Sequence, residues 1–275
     1  MNQNKSTGNS NTERNGTTEM TTSSTLIYDT TIITQNGHSR EQEHIAIETP
    51  YTIMLNETDI GASMVLPSGL EEFGVGFLFG QGYIESPGEV REVLVCPEGR
   101  ISVYADVENT EPKDVIITSG CGGTGKIPRD LLDGILEKPL DYSLSLAETK
   151  AFLHDAYQAS PLGTMTHCVH GCGLWSDGTL KLHYEDVGRH NAVDKVMGAI
   201  LLGKADPRCA VYTTGRLTSD MVLKCARMRI PIVMSRTAPS SLGLAIAERA
   251  GMTLIGYART DRLNVFTNPD RIKLS

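Results

Sequence analysis

Apolar positions alternate with polar ones early in the chain, then settle into helical spacing broken by short β-branched runs. Residues 45–47 and 51–55 read as strand material broken by Pro50. Asn56-Glu57-Thr58-Asp59 is turn chemistry, and residues 60–66 return as the second arm of a hairpin. Pro67-Ser68-Gly69 opens a helix whose apolar face is Leu70, Phe73, Phe77 and Leu78, with Glu71 and Glu72 placed favourably in the first turn. Gly74, Gly76 and Gly80 are poor helix formers, so close packing against a sheet is the expected compensation. Residues 93–95 and 101–104 form a second hairpin around Pro97-Glu98-Gly99.

The run Val115-Ile116-Ile117 reads as a buried strand that empties into a glycine-rich loop. Residues 128–136 and 146–158 follow as helices, then 165–175 and 180–184 as strands joined by Ser176-Asp177-Gly178, a strong hairpin signal. From there helices over 191–202, 219–228 and 240–250 alternate with strands over 210–213, 230–234 and 252–257. Such alternation with short connections implies a parallel, helix-covered sheet. The expected organisation is a tail over 1–25, a small α+β unit over 26–114 and an α/β unit with a mixed sheet over 115–275.

Composition narrows the class. The tail is Asn, Thr, Ser, Gly and Gln with almost no apolar residues, so it is expected to be disordered and lacks the apolar core of a signal peptide. Of 275 residues, 40% are hydrophobic, a globular value, and no run is long and apolar enough to cross a bilayer. The formal charge of -8 argues against nonspecific nucleic-acid binding. Six cysteines scattered through so large a chain, without an export signal, point to reduced thiols in the cytoplasm.

Candidate chemistry sits in two places. In Ser119-Gly120-Cys121-Gly122-Gly123-Thr124-Gly125-Lys126 the glycines let backbone N–H groups approach a ligand, and they surround one thiol followed by a lysine. This is either a phosphate cradle or a nucleophilic sulfur of eased ionisation. The loop nearly spells a Walker A motif, but Ile127 stands where a magnesium-binding hydroxyl belongs. The second place is a row of polar loops at the ends of the last three strands: Thr214-Gly215-Arg216, Ser235-Arg236-Thr237-Ala238-Pro239-Ser240 and Ala258-Arg259-Thr260-Asp261-Arg262. The carboxyl edge of an α/β sheet is where ligands bind, and these arginines make an anion site on an acidic protein. His167, Cys168, His170 and Cys172 suggest zinc, but a single extended row fits a tetrahedral site badly, and core packing is the expected role of Cys168 and Cys172. Cys96, Cys209 and Cys225 fall in or beside apolar runs and read as inert. In the charged corner 185–195, Arg189 and His190 land at a helix start suited to an anion, or Asn191 simply caps that helix.

That corner, Glu185-Asp186-Val187-Gly188-Arg189-His190-Asn191-Ala192-Val193-Asp194-Lys195, resembles the signature of the formate dehydrogenase accessory sulfurtransferases, the FdhD/NarQ family. Glu48-Thr49-Pro50, Leu70-Glu71-Glu72-Phe73 with Gly76-Phe77-Leu78, Ala238-Pro239-Ser240-Ser241-Leu242 and Thr253-Leu254-Ile255-Gly256-Tyr257 extend the likeness over everything after the tail. The resemblance implies a cytidine deaminase-like fold without the zinc set. It implies a carrier that takes sulfur from a cysteine desulfurase as a persulfide on Cys121. The sulfur then goes to molybdenum bis(molybdopterin guanine dinucleotide), or its tungsten counterpart, for apo-formate dehydrogenase. It implies cofactor binding by Tyr257, Ala258, Arg259, Thr260, Asp261 and Arg262, joined by the strand-end Arg216, with guanine nucleotide as a mimic, and a homodimer. Many members carry Cys-x-x-Cys in the loop; here Thr124 replaces the second cysteine, leaving a one-cysteine relay. The competing class is a cofactor-binding chaperone without sulfur transfer, and a more remote one is a P-loop-like nucleotide binder.

Overall fold

The computed structural model describes residues 24–107, 115–117 and 126–274. The chain opens with a long antiparallel hairpin, β1 (Thr25–Thr34) and β2 (Gly37–Ala46). Of these two strands the pattern predicts only the end of β2, Ile45 and Ala46. Most positions on both arms are exposed, so no buried face imposes the alternation by which strands are read. β3 (Thr49–Leu55) and β4 (Thr58–Val65) form the expected hairpin, but Pro50 lies inside β3, one position from its start, where proline is tolerated.

Helix α1 (Leu70–Gln81) follows, then β5 (Val90–Cys96) and β6 (Arg100–Ala105). The four strands order as β4-β3-β6-β5, and Phe73 and Val75 of α1 share one buried core with Ile53, Ile101 and Val103. β7 (Val115–Ile117) pairs antiparallel with β8 (Lys126–Pro128). Pro128 ends that strand, and the helix expected over 128–136 is only α2 (Arg129–Asp133).

β9 (Leu144–Ser145) leads into α3 (Leu146–Gln158), whose start carries a complete capping box between Ser145 and Glu148. A short helix, α4 (Pro161–Thr166), takes the first two residues of the strand expected over 165–175; the strand itself, β10, is His170–Ser176. Ser160-Pro161 is a helix start that the apolar count concealed. β11 (Thr179–Asp186), α5 (Arg189–Leu201), β12 (Ala210–Thr213), α6 (Ser219–Arg227), β13 (Ile232–Ser235), α7 (Ser241–Ala250) and β14 (Thr253–Gly256) match the alternation read from sequence. β15 (Asn264–Thr267) and β16 (Ile272–Lys273) complete the chain, the latter pairing with β9.

The larger sheet runs β11-β10-β12-β13-β14-β15. β12, β13 and β14 are parallel, as short strand–helix alternation requires, and antiparallel strands flank them to give the expected mixed sheet. Alternate residues face opposite ways: Val211, Val233 and Leu254 meet α5, α6 and α7, whereas Tyr212, Met234 and Ile255 meet Phe152 and Leu153 of α3. Helix α1 is pressed between the small sheet and α5, so it is buried nearly all round rather than on one stripe. Its glycines make this possible. A Cβ on Gly74 would fall 2.4 Å from Ile101, one on Gly76 1.8 Å from the Asp194 carbonyl oxygen, and one on Gly198 of α5 1.8 Å from the Glu72 carbonyl oxygen. Among the described residues no helix is long and apolar enough to cross a membrane.

Candidate functional site

The carboxyl ends of β12, β13 and β14 are neighbours, and the three loops leaving them are cross-braced by hydrogen bonds. The Ser235 hydroxyl donates to the Gly215 carbonyl at 2.6 Å, and the Thr237 hydroxyl donates to the same oxygen at 3.0 Å. Leu217 N–H donates to Ala238 O and Ser240 N–H to Leu217 O, while Tyr257 N–H reaches Thr237 O and Ala258 N–H reaches Ser235 O. Arg259 and Arg262 exchange backbone hydrogen bonds that close a tight turn with Thr260 and Asp261 at its tip. Short polar side chains and free backbone amides at strand ends thus fix loops that sequence alone would leave open.

Along this edge Arg216, Arg236, Arg259 and Arg262 are all exposed. The Arg262 Nε donates to Asn264, whereas Arg216, Arg236 and Arg259 make no side-chain hydrogen bond or ion pair among the described residues. Tyr257 holds a left-handed backbone, φ 50°, costly for a bulky residue, and rests its ring against Phe266 with centroids 6.5 Å apart. Ala258 differs from its neighbours: it is 4% exposed and packs inward beside Ile255 and Met234, so it shapes the loop rather than facing a ligand. The structure therefore brings Arg216 to the same edge as Tyr257, Arg259, Thr260, Asp261 and Arg262. Cys121 lies outside the described residues.

Beside β12 the edge continues into a pocket of about 490 Å³ between α4, β10 and the strand ends, with His170, Glu185, Thr214 and Arg236 among its walls. Glu185 accepts backbone hydrogen bonds from Leu162 and Gly163 at the start of α4, at 3.1 and 2.7 Å. Burial nonetheless pushes its carboxyl above the ordinary range. His170 Nδ1 lies 3.2 Å from the Thr214 hydroxyl, which accepts from Gly171 N–H. Sequence reasoning missed this wall because residues 161–164 of α4 suggest no element and 165–166 read as the start of a strand. Correcting that span also corrects Cys168, which is exposed and not part of the core; Cys172 is fully buried as expected. No cluster of metal-ligating side chains occurs among the described residues.

The charged corner resolves into a buried lock. Asp186, fully buried, accepts from Leu66 N–H, Gly188 N–H and Asn191 Nδ2 and pairs with Lys195 at 2.7 Å. Lys195 also donates to the carbonyls of Leu66 and Glu185. Asn191 does not cap the helix; Gly188 holds the cap position, and Asn191 ties Asp186 to the Met64 carbonyl. One turn on, Asp194 meets Lys224, and His190 Nε2 lies 2.5 Å from Asp220. Burial raises Asp220, but His190, the Thr218 hydroxyl and Lys224 together hold it well below the usual carboxylate range. These pairs bind α5 to β11, to the chain entering α1 and to α6.

His183, on β11, touches the Ser160 hydroxyl at 3.2 Å, and burial pushes its pKa from 6.5 down to about 4. The folded state thus takes up its proton later than the unfolded state as pH falls. The stabilisation tied to neutral His183 is complete above pH 6.5 and fades between pH 6.5 and 4. Melting temperatures over that window should drop more steeply for the natural chain than for His183→Gln. Parallel slopes would show that His183 contributes nothing.

With the site laid out, its relatives can be placed. Residues 46–273 match the FdhD/NarQ family model. The chain belongs to the FdhD/NarQ family. It is 35% identical over 244 residues to the sulfur carrier protein FdhD of Wolinella succinogenes, covering 85% of this chain and 84% of that one. It is 32% identical over 237 residues to the protein of the same name from Sulfolobus acidocaldarius, covering 85% and 92%. The crystal structure of a provisionally named formate dehydrogenase accessory protein from Desulfotalea psychrophila superposes with a TM-score of 0.84 at 58% identity, over 91% of this chain and 100% of that one. The family match takes in both the lock and the arginine edge.

Proposed function

We propose that this chain is a sulfur carrier serving formate dehydrogenase, and that Cys121 carries the sulfur as a persulfide. The donor is a cysteine desulfurase; the acceptor is molybdenum bis(molybdopterin guanine dinucleotide), or its tungsten counterpart, bound here as a substrate before it passes to the apo-enzyme. In the loading step the Cys121 thiolate attacks the terminal sulfur of the donor persulfide. A new S–S bond forms at Cys121, the donor S–S bond breaks, and the donor cysteine leaves as thiolate. In the unloading step the Cys121 S–S bond would break, Cys121 would leave as thiolate, and the outer sulfur would pass to the substrate cofactor's reduced metal centre, which would supply the two electrons that take it to the sulfide level.

The observation that carries the reading is the arginine edge: three cross-braced loops present Arg216, Arg236, Arg259 and Arg262 to solvent on an otherwise acidic protein. Guanidinium forks match phosphate oxygens in pairs, which suits the diphosphate links of a guanine dinucleotide. The rigid turn from Arg259 to Arg262 holds Thr260 and Asp261 where they could meet a base or ribose. The cytidine deaminase-like arrangement and a homodimer belong to the same reading.

Arg262→Ala should weaken binding of guanosine diphosphate by about tenfold, the loss of one charge-assisted contact. Calorimetry measures it, and unchanged affinity would remove this edge from the cofactor site. The sulfur half is tested by mass spectrometry after incubation with a desulfurase and cysteine. Added sulfur should appear on the peptide containing Cys121; sulfur on the peptide containing Cys168 instead would move the carrier role to the exposed thiol. A chaperone that binds the cofactor without carrying sulfur would show neither.

A further inference from the structure

The β1–β2 hairpin stands outside the packed body. Leu26, Ile27, Tyr28, Ile32, Ile33 and Ile45 are apolar, yet none joins either buried core, and Ile27 and Ile33 are 60% and 81% exposed. β1 and β2 form a sheet of two strands and no more among the described residues. Such a hairpin is marginal in water; three or more strands with an apolar face are needed for independent stability. β2 is the arm that approaches α4, leaving β1 the outer strand.

The open edge of β1 has a definite pattern. Ile47 N–H donates to Ser24 O, and Thr34 faces Gly37 across a two-residue turn, so the even-numbered residues of β1 direct their backbone groups to β2. The odd-numbered residues from Ile27 to Ile33 turn theirs outward. A two-fold axis through Thr30 sets two such edges antiparallel. Asp29 of one copy then opposes Thr31 of the other, and Ile27 opposes Ile33, as hydrogen-bonded pairs, with Tyr28 opposite Ile32 between them. No like charges meet in this register, whereas an axis at Asp29 brings two carboxylates face to face. The β2 edge does not pair with itself in this way: a central axis at Arg40, Glu41 or Glu43 opposes a charge to itself, and one at Gln42 opposes Glu41 to Glu43. Pairing the ten residues of β1 over about 34 Å buries on the order of 1,000 Å² in all, the threshold of a specific interface.

We propose that the outer edge of β1 is an interface between two copies of this chain, which join there into a four-stranded sheet ordered β2-β1-β1-β2 about Thr30. The proposal rests on the homodimer of the functional reading and adds to it the surface and the register. Four strands supply the stability that two lack, and Ile27 and Ile33 cover one another.

The test follows the full chain by sedimentation velocity, with paired substitutions at the two positions that oppose each other. Ile27→Lys with Ile33→Lys sets like charges across the interface and should weaken association at least about tenfold. Ile27→Lys with Ile33→Glu makes as many changes but sets opposite charges there, and should remain a dimer. Monomers from both double variants would overturn the register and the proposal with it. Thr30→Cys is an independent check. The two substituted positions face each other as a non-hydrogen-bonded pair with Cα atoms about 4.5 Å apart, so mild oxidation should join two peptides containing residue 30 by a disulfide. The substitutions fall outside both cores, so circular dichroism should match that of the natural chain; if a lysine variant fails to fold, the disulfide alone decides. A like-charge variant that stays dimeric, with no disulfide from Thr30→Cys, would put the interface on another face and overturn the proposal while the homodimer stands. A natural chain that is monomeric and gives no disulfide would remove both, leaving sulfur carriage untouched.

Discussion

Replacing Cys121 with alanine should abolish sulfur loading and lower activation of formate dehydrogenase by on the order of 10³-fold or more, as removal of a nucleophile does at other group-transfer sites. The fold should be unaffected, because the change removes only a thiol. The other cysteines explain why no substitute is at hand. Burial pushes the Cys172 and Cys209 thiols up, and Cys225 up to about 12, so none of the three offers a thiolate near neutrality. Cys168 is the exposed thiol among the described cysteines, and Cys96 is partly buried with its sulfur 3.8 Å from Arg100. Cys168→Ala is therefore the informative companion. It should retain loading and activation in full, measured by sulfur-transfer mass spectrometry and by formate dehydrogenase complementation. Retained activation by Cys121→Ala would favour a chaperone that shelters the cofactor without transferring sulfur.

Gly198→Ala should destabilise the chain by about 3 kcal/mol, at the upper end of overpacking costs. The added Cβ meets backbone, not a flexible side chain: the Glu72 carbonyl oxygen at 1.8 Å and its carbon at 2.6 Å. Relief requires α1 and α5 to separate, and Gly76 holds the same two helices at the same close distance one crossing further along, against the Asp194 carbonyl. The small sheet and the large sheet both pack on this helix pair, so the loss is felt on both sides of it. For a chain of this size the fall in melting temperature should be roughly 6 to 12 °C. Gly88→Ala, with nothing within 4 Å of the new methyl, is the control and should stay within about 0.5 kcal/mol of the parent. Equal melting temperatures for the two variants would mean that the helices approach less closely than the geometry states.

The glycines of α1 show what can be read from sequence and what cannot. Gly74, Gly76 and Gly80 in an otherwise apolar helix signal close approach, and that much was legible. Only the structure shows that Gly74 faces the small sheet while Gly76 faces α5, because helical spacing turns positions two apart to different sides. The Asp186–Lys195 run is similar. Its residue types announce a helix start with charges, yet their role as a buried lock follows from Leu66 and Met64, more than a hundred residues away in the chain.

Local pattern determined the alternating strands and helices from Arg189 to Gly256, the antiparallel hairpins of the small sheet and the polar loops at the strand ends, because buried faces impose periodicity and turns demand particular backbones. It failed at β1 and most of β2, where no core selects the residues, and at α4, where six residues are too few to display a period. Tertiary structure alone decided that Arg216, Arg236, Arg259 and Arg262 stand on one edge and that Ala258 turns inward. Each of these depends on which strands become neighbours in the sheet. That choice is made by contacts between distant segments, and nothing in the spacing of nearby residues encodes it.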